Sequence, residues 1–409
     1  MKKCLATASL VLLTASGTAL ASGYRIPEQS VNSTARSGSY VAYTPGADAS
    51  YYNPANMAWL EDRGLIEADV TWIHLTPIEY TDSRTALYNG ESEEENFIMP
   101  TVFAVSPDYN NWRVGFAVTA PAGLAKRWED PFPKTFSEEF SLKVFDINPT
   151  LSYKFCDRFA VAAGARAVFA EGTVKSSGQV ASGVTASRDM EGDAWEAGYN
   201  LALTVRPLEK MNLSVTYRSK VDLGIEGDAR LYTSAGPSTY VGDSGVEIPL
   251  PAIFAVAMSY TFFDRLTVEL EYDRTYWSDY EYLDFTYPTA LRNPVLAMAF
   301  DNAKDKHWQD SDAWRLSASY ALNPNLTLMA GFAIDENPVP ESTLGFELPD
   351  SDALLYSVGV QYKINQNLEV GAAYLYDDKE SRSVNNGTIS GSFDEASAHL
   401  FTAGVTYKF

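Results

Sequence analysis

The sequence predicts an all-β membrane protein: a 14-stranded antiparallel transmembrane β-barrel, to which a family resemblance given below adds an N-terminal hatch, or plug, inside the lumen. Three observations carry this expectation. The chain opens on an export signal, its body alternates with period two between links that are short and long in turn, and its last strand ends on an aromatic residue, Phe409.

The start reads Met1-Lys2-Lys3, then an apolar run over residues 5–13, small residues, and Ala19-Leu20-Ala21 before Ser22. A basic head, an apolar core too short to span a bilayer and an Ala-x-Ala site describe a secretory signal peptide. Cleavage is expected after Ala21. This divides the chain into a signal peptide (1–21), a hatch (22–63) and a barrel (64–409). Cys4 precedes the apolar core instead of following it, so lipidation is not expected there. Cys156 is then the only cysteine of the mature chain, which excludes an intrachain disulfide and a multi-cysteine metal site.

The formal net charge is −22, and loss of Lys2 and Lys3 makes the mature chain more acidic still. With no basic cluster to release counterions from phosphates, nucleic acid is excluded as a partner. Past the signal peptide no apolar run reaches the roughly 18 residues of a membrane helix. Tyr (25), Phe (20) and Trp (8) are abundant instead. Aromatic residues favour strands and form the interfacial girdles of outer-membrane barrels.

The stretch Leu266-Thr267-Val268-Glu269-Leu270-Glu271-Tyr272-Asp273 alternates without a fault, as do residues 326–335 and 213–218. Strands are expected near 64–78, 96–105, 112–120, 142–155, 158–174, 195–206 and 211–233. Seven more are expected near 250–262, 265–286, 311–321, 325–335, 353–363, 367–377 and 397–409. Links such as Cys156-Asp157, Phe263-Asp264, Asn323-Pro324 and Asn365-Gln366 are short, and the intervening ones are long, near 79–95, 121–141, 175–194, 234–249, 287–310, 336–352 and 378–396. Short periplasmic turns and long outer loops are the barrel pattern, and an even strand count returns both barrel ends to the periplasm. In the last strand Phe401, Ala403, Val405, Tyr407 and Phe409 share one face. Residues 22–63 do not alternate. They either stay in the periplasm or enter a lumen wide enough to need filling.

Beyond these patterns, Ser22-Gly23-Tyr24-Arg25-Ile26 and Ala47-Asp48-Ala49-Ser50-Tyr51-Tyr52-Asn53-Pro54-Ala55 resemble the N-terminal hatch of the FadL/TodX family of outer-membrane transporters, of which Asn-Pro-Ala is a hallmark. The likeness continues in order through Pro121-Ala122-Gly123-Leu124-Ala125, Asn148-Pro149-Thr150, Tyr217-Arg218-Ser219-Lys220-Val221, Leu250-Pro251-Ala252, Trp277-Ser278, Asn337-Pro338-Val339-Pro340 and Leu348-Pro349-Asp350. The resemblance implies a plugged 14-stranded barrel in the outer membrane of a Gram-negative-type cell. It also implies passive uptake of hydrophobic molecules by way of an outer groove, a pocket beside the hatch and a lateral exit. Long-chain fatty acid is the expected cargo, with neutral aromatic or aliphatic hydrocarbons as the alternative. Other expected partners are outer-membrane lipid and the barrel-assembly machinery. A monomer without cofactor or metal is expected.

Candidate site residues follow. Leu124, Trp128, Phe132, Phe136 and Phe140 fall in the link after the third strand, either as an outer landing groove or as packing for that loop. For the hatch, Ser22, Gly23, Tyr24, Asn53, Pro54 and Ala55 stand out, with Asn-Pro also readable as a plain turn. A carboxylate cargo needs a cationic partner when buried. The resemblance places Glu171 and Gln309 where fatty-acid members of the family carry basic residues, which is a departure. Arg166, Arg218 and Arg315 could substitute or could pair with lumenal acids. An outer-membrane lipase or protease is disfavoured: His74 and His399 point outward near the rim, and His307 lies in a loop. Glu269 and Glu271 read as a hydrated wall, and no catalytic residue is nominated.

Overall fold

The computed structural model describes residues 23–236 and 239–409; the expected signal peptide and Ser22 lie outside these. Strands β1 (Leu65–Leu75), β2 (Glu95–Val105), β3 (Trp112–Arg127), β4 (Glu139–Cys156), β5 (Phe159–Ala181) and β6 (Val184–Leu208) form the first part of the wall. β7 runs in two parts (Met211–Arg218 and Val221–Thr233), as does β8 (Thr239–Leu250 and Ala252–Phe262). Then come β9 (Leu266–Tyr276), β10 (Ser311–Asn323), β11 (Leu326–Asp335), β12 (Ala353–Lys363), β13 (Leu368–Lys379) and β14 (Ser397–Lys408). All neighbours are antiparallel, and β1 closes the sheet by pairing with both β2 (Leu65↔Val105) and β14 (Leu65↔Lys408). Beyond β14, Gly64 and Phe409 exchange backbone hydrogen bonds of 3.2 and 3.0 Å.

The alternation has an inverted sense. Along β1, Glu67 and Asp69 are each 2% exposed, whereas Ile66 is 46% and Val70 48% exposed. A water-soluble sandwich would bury the apolar face. Here polar side chains point in and apolar ones out, as in a wall between lipid and a polar lumen. Trp72 stacks on Phe401 across β1 and β14, their ring centroids 5.3 Å apart, as part of an outward aromatic girdle.

Several expected boundaries move. β3, β5 and β6 run beyond their expected ends at 120, 174 and 195, so the link 175–194 is a strand hairpin whose tip is Ser182-Gly183. The link 234–249 is mostly the first part of β8, and the expected unbroken strand 265–286 stops at Tyr276 and resumes only as the two-residue pieces Tyr282–Leu283 and Phe285–Thr286, of which the second alone joins the wall. These strands extend beyond the membrane band; along the extension of β6 the alternation continues with its sense reversed, Ala186, Met190 and Ala194 being buried while Asp189, Glu191 and Asp193 are exposed. Tight hairpins sit where expected: Phe263 and Asp264 take φ of 53° and 57°, the left-handed pair of a two-residue turn.

Outside the barrel, Glu79–Asp82, Gly90–Glu91, Arg382–Asn385 and Ser390–Asp394 form a small sheet of their own. With the link between β3 and β4 it caps one mouth.

Candidate functional site: the occupied lumen and an unzipped seam

The N-terminal segment lies inside the barrel, tied to the wall through its backbone. Its polar groups need partners once removed from water. Tyr40 N–H donates to Glu271 (2.8 Å), while Val41, Ala42 and Tyr43 N–H donate to Glu269 at 2.7, 2.6 and 2.8 Å. Glu67 accepts from Ala47 N–H at 3.0 Å. Glu269 and Glu271, expected to line water, are therefore buried anchors. The alternation that marked them as inward-facing carried no trace of what would fill the lumen.

Within the segment, Asp48 is a hub that accepts from the Ser30, Asn32 and Tyr40 side chains at 2.7, 3.1 and 2.7 Å. The one-turn helix Val31–Thr34 begins with a capping box at Ser30. It packs where the wall is reduced to glycine: a Cβ at Gly371 would meet Val31 at 2.8 Å. At Gly331 a Cβ would fall on the backbone of Arg36, so only glycine permits that approach. Asn53 caps the turn Pro54–Trp59, accepting from Ala55 N–H at 3.1 Å, and its amide donates to Val41 O (2.7 Å) and Thr204 Oγ1 (2.9 Å). Asn-Pro-Ala is thus both a turn and a rivet to the wall.

At the far end of the segment, Gly23 (φ +67°) donates its N–H to Asp350 at 3.1 Å. Tyr24 lies edge-on to Trp277, centroids 4.6 Å apart, beside Trp308, and its hydroxyl donates to Pro249 O. Asp350, Trp277 and Trp308 belong to fragments without alternation, so sequence reasoning gave them no contact with the hatch.

The predicted site residues separate. Arg166 is buried against Asp146 (2.7 Å), which also takes Arg218 (3.1 Å). Arg315 is held by Asp273 (3.0 Å) and Asp335 (2.8 Å) and donates to Ser37 O (2.9 Å). Arg315 is fully engaged by protein groups, whereas Arg166 keeps one buried Nη2 without a hydrogen-bond partner. Glu171 faces outward and pairs with Lys143 at 3.0 Å, and Gln309 is exposed with its N–H on Pro338 O. These four residues do not converge on a pocket.

Of the five groove residues, Leu124 and Phe140 lie on strands and Trp128 is fully buried. Phe132 and Phe136, on the short helix Pro131–Phe136, pack around Phe346, with ring centroids 5.8 Å from it in both cases. Trp128, Tyr80 and Phe393 complete an aromatic core above the barrel. Those residues build the cap, and Phe132 and Phe136 keep partly exposed faces. His74 and His399 sit face to face across β1 and β14, ring centroids 5.7 Å apart, and His307 is in an exposed loop.

One stretch of wall is not zipped. β2 and β3 pair only from Val105↔Gly115 to Val102↔Val118, and they meet again where Glu93 N–H reaches Arg127 O (2.9 Å). The facing edges hold Pro100 and Pro121, which have no N–H to give. From Thr119 onward β3 turns to the N-terminal segment. The Gln29 amide accepts from Ala120 N–H (2.8 Å) and donates to Ala120 O (2.9 Å), in place of a strand partner. Ile26 N–H donates to Pro121 O and Gly123 N–H to Tyr24 O, both at 2.9 Å.

A closed barrel with lipid-facing aromatics and a lumen filled by its own N-terminus defines a plugged outer-membrane barrel. The chain belongs to the family described as outer membrane protein transport protein (OMPP1/FadL/TodX), whose profile matches residues 12–409. It is 23% identical over 364 residues to a long-chain fatty acid transport protein of Escherichia coli, covering 78% of this chain and 80% of that one. Among solved structures, a Pseudomonas aeruginosa FadL homologue superposes with a TM-score of 0.82 at 18% identity, over 95% of this chain and 100% of that one. The Ralstonia pickettii toluene transporter TbuX superposes with a TM-score of 0.72 at 18% identity, over 93% and 98%.

Proposed function

We propose that the protein carries hydrophobic molecules, long-chain fatty acids first among them, passively across the outer membrane and releases them sideways through the wall between β2 and β3. The observation that supports this reading is the unzipped seam from Thr119 to Lys126, whose backbone is satisfied from inside by Gln29, Ile26 and Tyr24. An apolar molecule gains roughly 25 cal/mol per Å² on leaving water. A water-filled pore offers it nothing, whereas a seam beside an apolar face leads it into the membrane.

In this reading the partly exposed rings of Phe132 and Phe136 receive the molecule, residues 23–63 act as the hatch, and Tyr24 with Trp277 and Trp308 forms the aromatic floor beneath the cap. The protein acts as a monomer, and its C-terminal aromatic strand is the part read by the assembly machinery. The relative named for fatty acids supports the first cargo and the one named for toluene supports a neutral hydrocarbon. The pairing of Arg315 with Asp273 and Asp335 and of Arg166 with Asp146 neutralises both charges and favours that second cargo.

The test restores the missing donors. Pro100→Ala with Pro121→Ala lets the two edges zip, and uptake of labelled oleate and of toluene by cells carrying this variant should fall several-fold with the barrel still folded. Undiminished uptake of both by the folded variant would remove the seam from the route.

A further inference from the structure

Beneath the N-terminal segment, at the end of the barrel that carries the short turns, lies a chamber of about 340 Å³. One water needs roughly 10–15 Å³, so there is room for many. Pro45 is exposed and Tyr43 half-buried where the segment borders the chamber, so solvent reaches its underside. Short turns face the periplasm, and the chamber opens to that side, away from the aromatic cap. Its charge runs against that of the chain. The sequence carries a formal −22, yet the chamber is lined by five cations and only three acids, Glu61, Asp264 and Glu369. Lysines take up those acids: Glu369 pairs with Lys408 (2.8 Å) and Lys363 (3.7 Å), Glu61 with Lys408 (3.6 Å), and Asp264 with Lys210.

Among the described residues, neither Arg36 nor Arg206 forms an ion pair. Arg36 is 2% exposed, and its Nε has no hydrogen-bond partner. Its Nη1 donates to Tyr43 O at 3.0 Å, and its guanidinium lies 4.3 Å from the ring centroid of Tyr40. Glu269 and Asp48, whose charges reach it, are engaged by other donors of the segment. Arg206, on β6, lies 4.1 Å from the ring centroid of Trp59, and its buried Nε is likewise without a partner. Ser319 Oγ, buried on β10, is a third such group on the chamber wall. Buried donors without acceptors are costly, and an oxyanion accepts from several N–H groups at once. Asn212, Thr267, Thr327 and Gln361 add polar lining, which suits a hydrophilic anion and offers an acyl chain little to bury against.

We propose that Arg36 and Arg206 hold a small hydrophilic oxyanion of the phosphate type, taken from the periplasm, that clamps the N-terminal segment to the barrel wall. Arg36 belongs to the segment and Arg206 to the wall, so one anion bound by both ties the two together from below. The site needs neither the cap nor the seam, and it does not depend on which cargo the barrel carries.

The probe is inorganic phosphate, added to the purified full-length protein in detergent at pH 7. Phosphorus NMR line broadening reads binding, and hydrogen exchange of residues 36–46 reads the clamp. Phosphate should bind at millimolar concentration or below and slow that exchange. Arg206→Gln and Arg36→Gln should each weaken binding about tenfold, as expected for a lost charge-assisted pair, and remove the protection. Arg206→Lys should keep part of both effects. Arg158→Gln, at an exposed turn outside the chamber, should change neither. Absence of binding in the wild type, undiminished binding in Arg206→Gln, or an equal loss in Arg158→Gln would overturn the site. Binding that leaves the exchange of residues 36–46 unchanged would overturn the clamp. Should Arg36→Gln fail to fold, the wild type and the two Arg206 variants still decide.

Discussion

Glu269 accepts the backbone N–H of Val41 at 2.7 Å, and the same carboxylate takes Ala42 and Tyr43. One wall residue thus replaces three solvent hydrogen bonds of the hatch. Charge-assisted hydrogen bonds contribute about 1.5–3 kcal/mol each, and a buried donor left alone costs a similar amount. Glu269→Ala should therefore loosen residues 41–43 by several kcal/mol while the strand ladders keep the barrel closed. The expected outcome is a higher ion conductance in planar bilayers with an unchanged shift between heated and unheated gel mobility. A variant as tight as the wild type would show that Glu269 does not hold the hatch.

Most of the wall was legible in the sequence because each strand there separates two solvents, and a period of two survives that separation. All fourteen strands appear near their expected positions. The extensions of β3, β5 and β6 were not legible, since above the membrane the outer face meets water instead of lipid and, in β6, becomes the polar one (Asp189, Glu191, Asp193) while Ala186, Met190 and Ala194 turn inward. The site was legible only in part. Asn53 is a rivet that the family likeness pointed to. Asp350, Trp277 and Gln29, however, meet the hatch or the seam through contacts more than 90 residues apart in the chain or through the geometry of an interrupted ladder. Pro100 and Pro121 were a signal available in advance: two residues without an N–H on neighbouring strands mark a ladder that cannot close.

Gly331 faces the backbone of Arg36 with no room for a methyl group. Gly331→Ala should displace the hatch or bend β11, at about 1–3 kcal/mol for an overpacked site. A lowered midpoint of thermal unfolding, beside an unaffected Gly224→Ala whose new Cβ would meet only the Glu196 carboxylate at 3.4 Å, is the expected pattern. Equal midpoints for the two variants would mean that the hatch yields without cost at this contact.

Phe346 is fully buried at the centre of the aromatic cap and touches Tyr80, Trp128, Phe132, Phe136 and Phe393. Removing a buried phenylalanine ring costs about 3–5 kcal/mol. Because this core lies outside the barrel, Phe346→Ala should speed protease cleavage in the outer loops and leave the barrel resistant. Phe132→Ser with Phe136→Ser should instead reduce cargo capture at low concentration with less effect on cleavage. If the two variants gave the same profile, packing and reception would be one role of the cap and not two.

Glu28, in the hatch, is 4% exposed, and its Oε1 has no hydrogen-bond partner. Burial pushes its carboxyl from 4.5 up to about 7; Arg315 opposes the shift, and Asp335 and Asp377 add to it. A carboxyl raised on folding favours its protonated state in the docked hatch. Its contribution is complete below about pH 4.5 and declines as pH rises through about 7, because the docked state binds the extra proton throughout that window. Hydrogen exchange of residues 26–36 should therefore quicken, beyond its ordinary base-catalysed trend, between pH 5 and pH 8. Glu28→Gln, permanently neutral, should remove that excess. Matching profiles for wild type and Glu28→Gln across this range would show that the Glu28 proton has no part in seating the hatch.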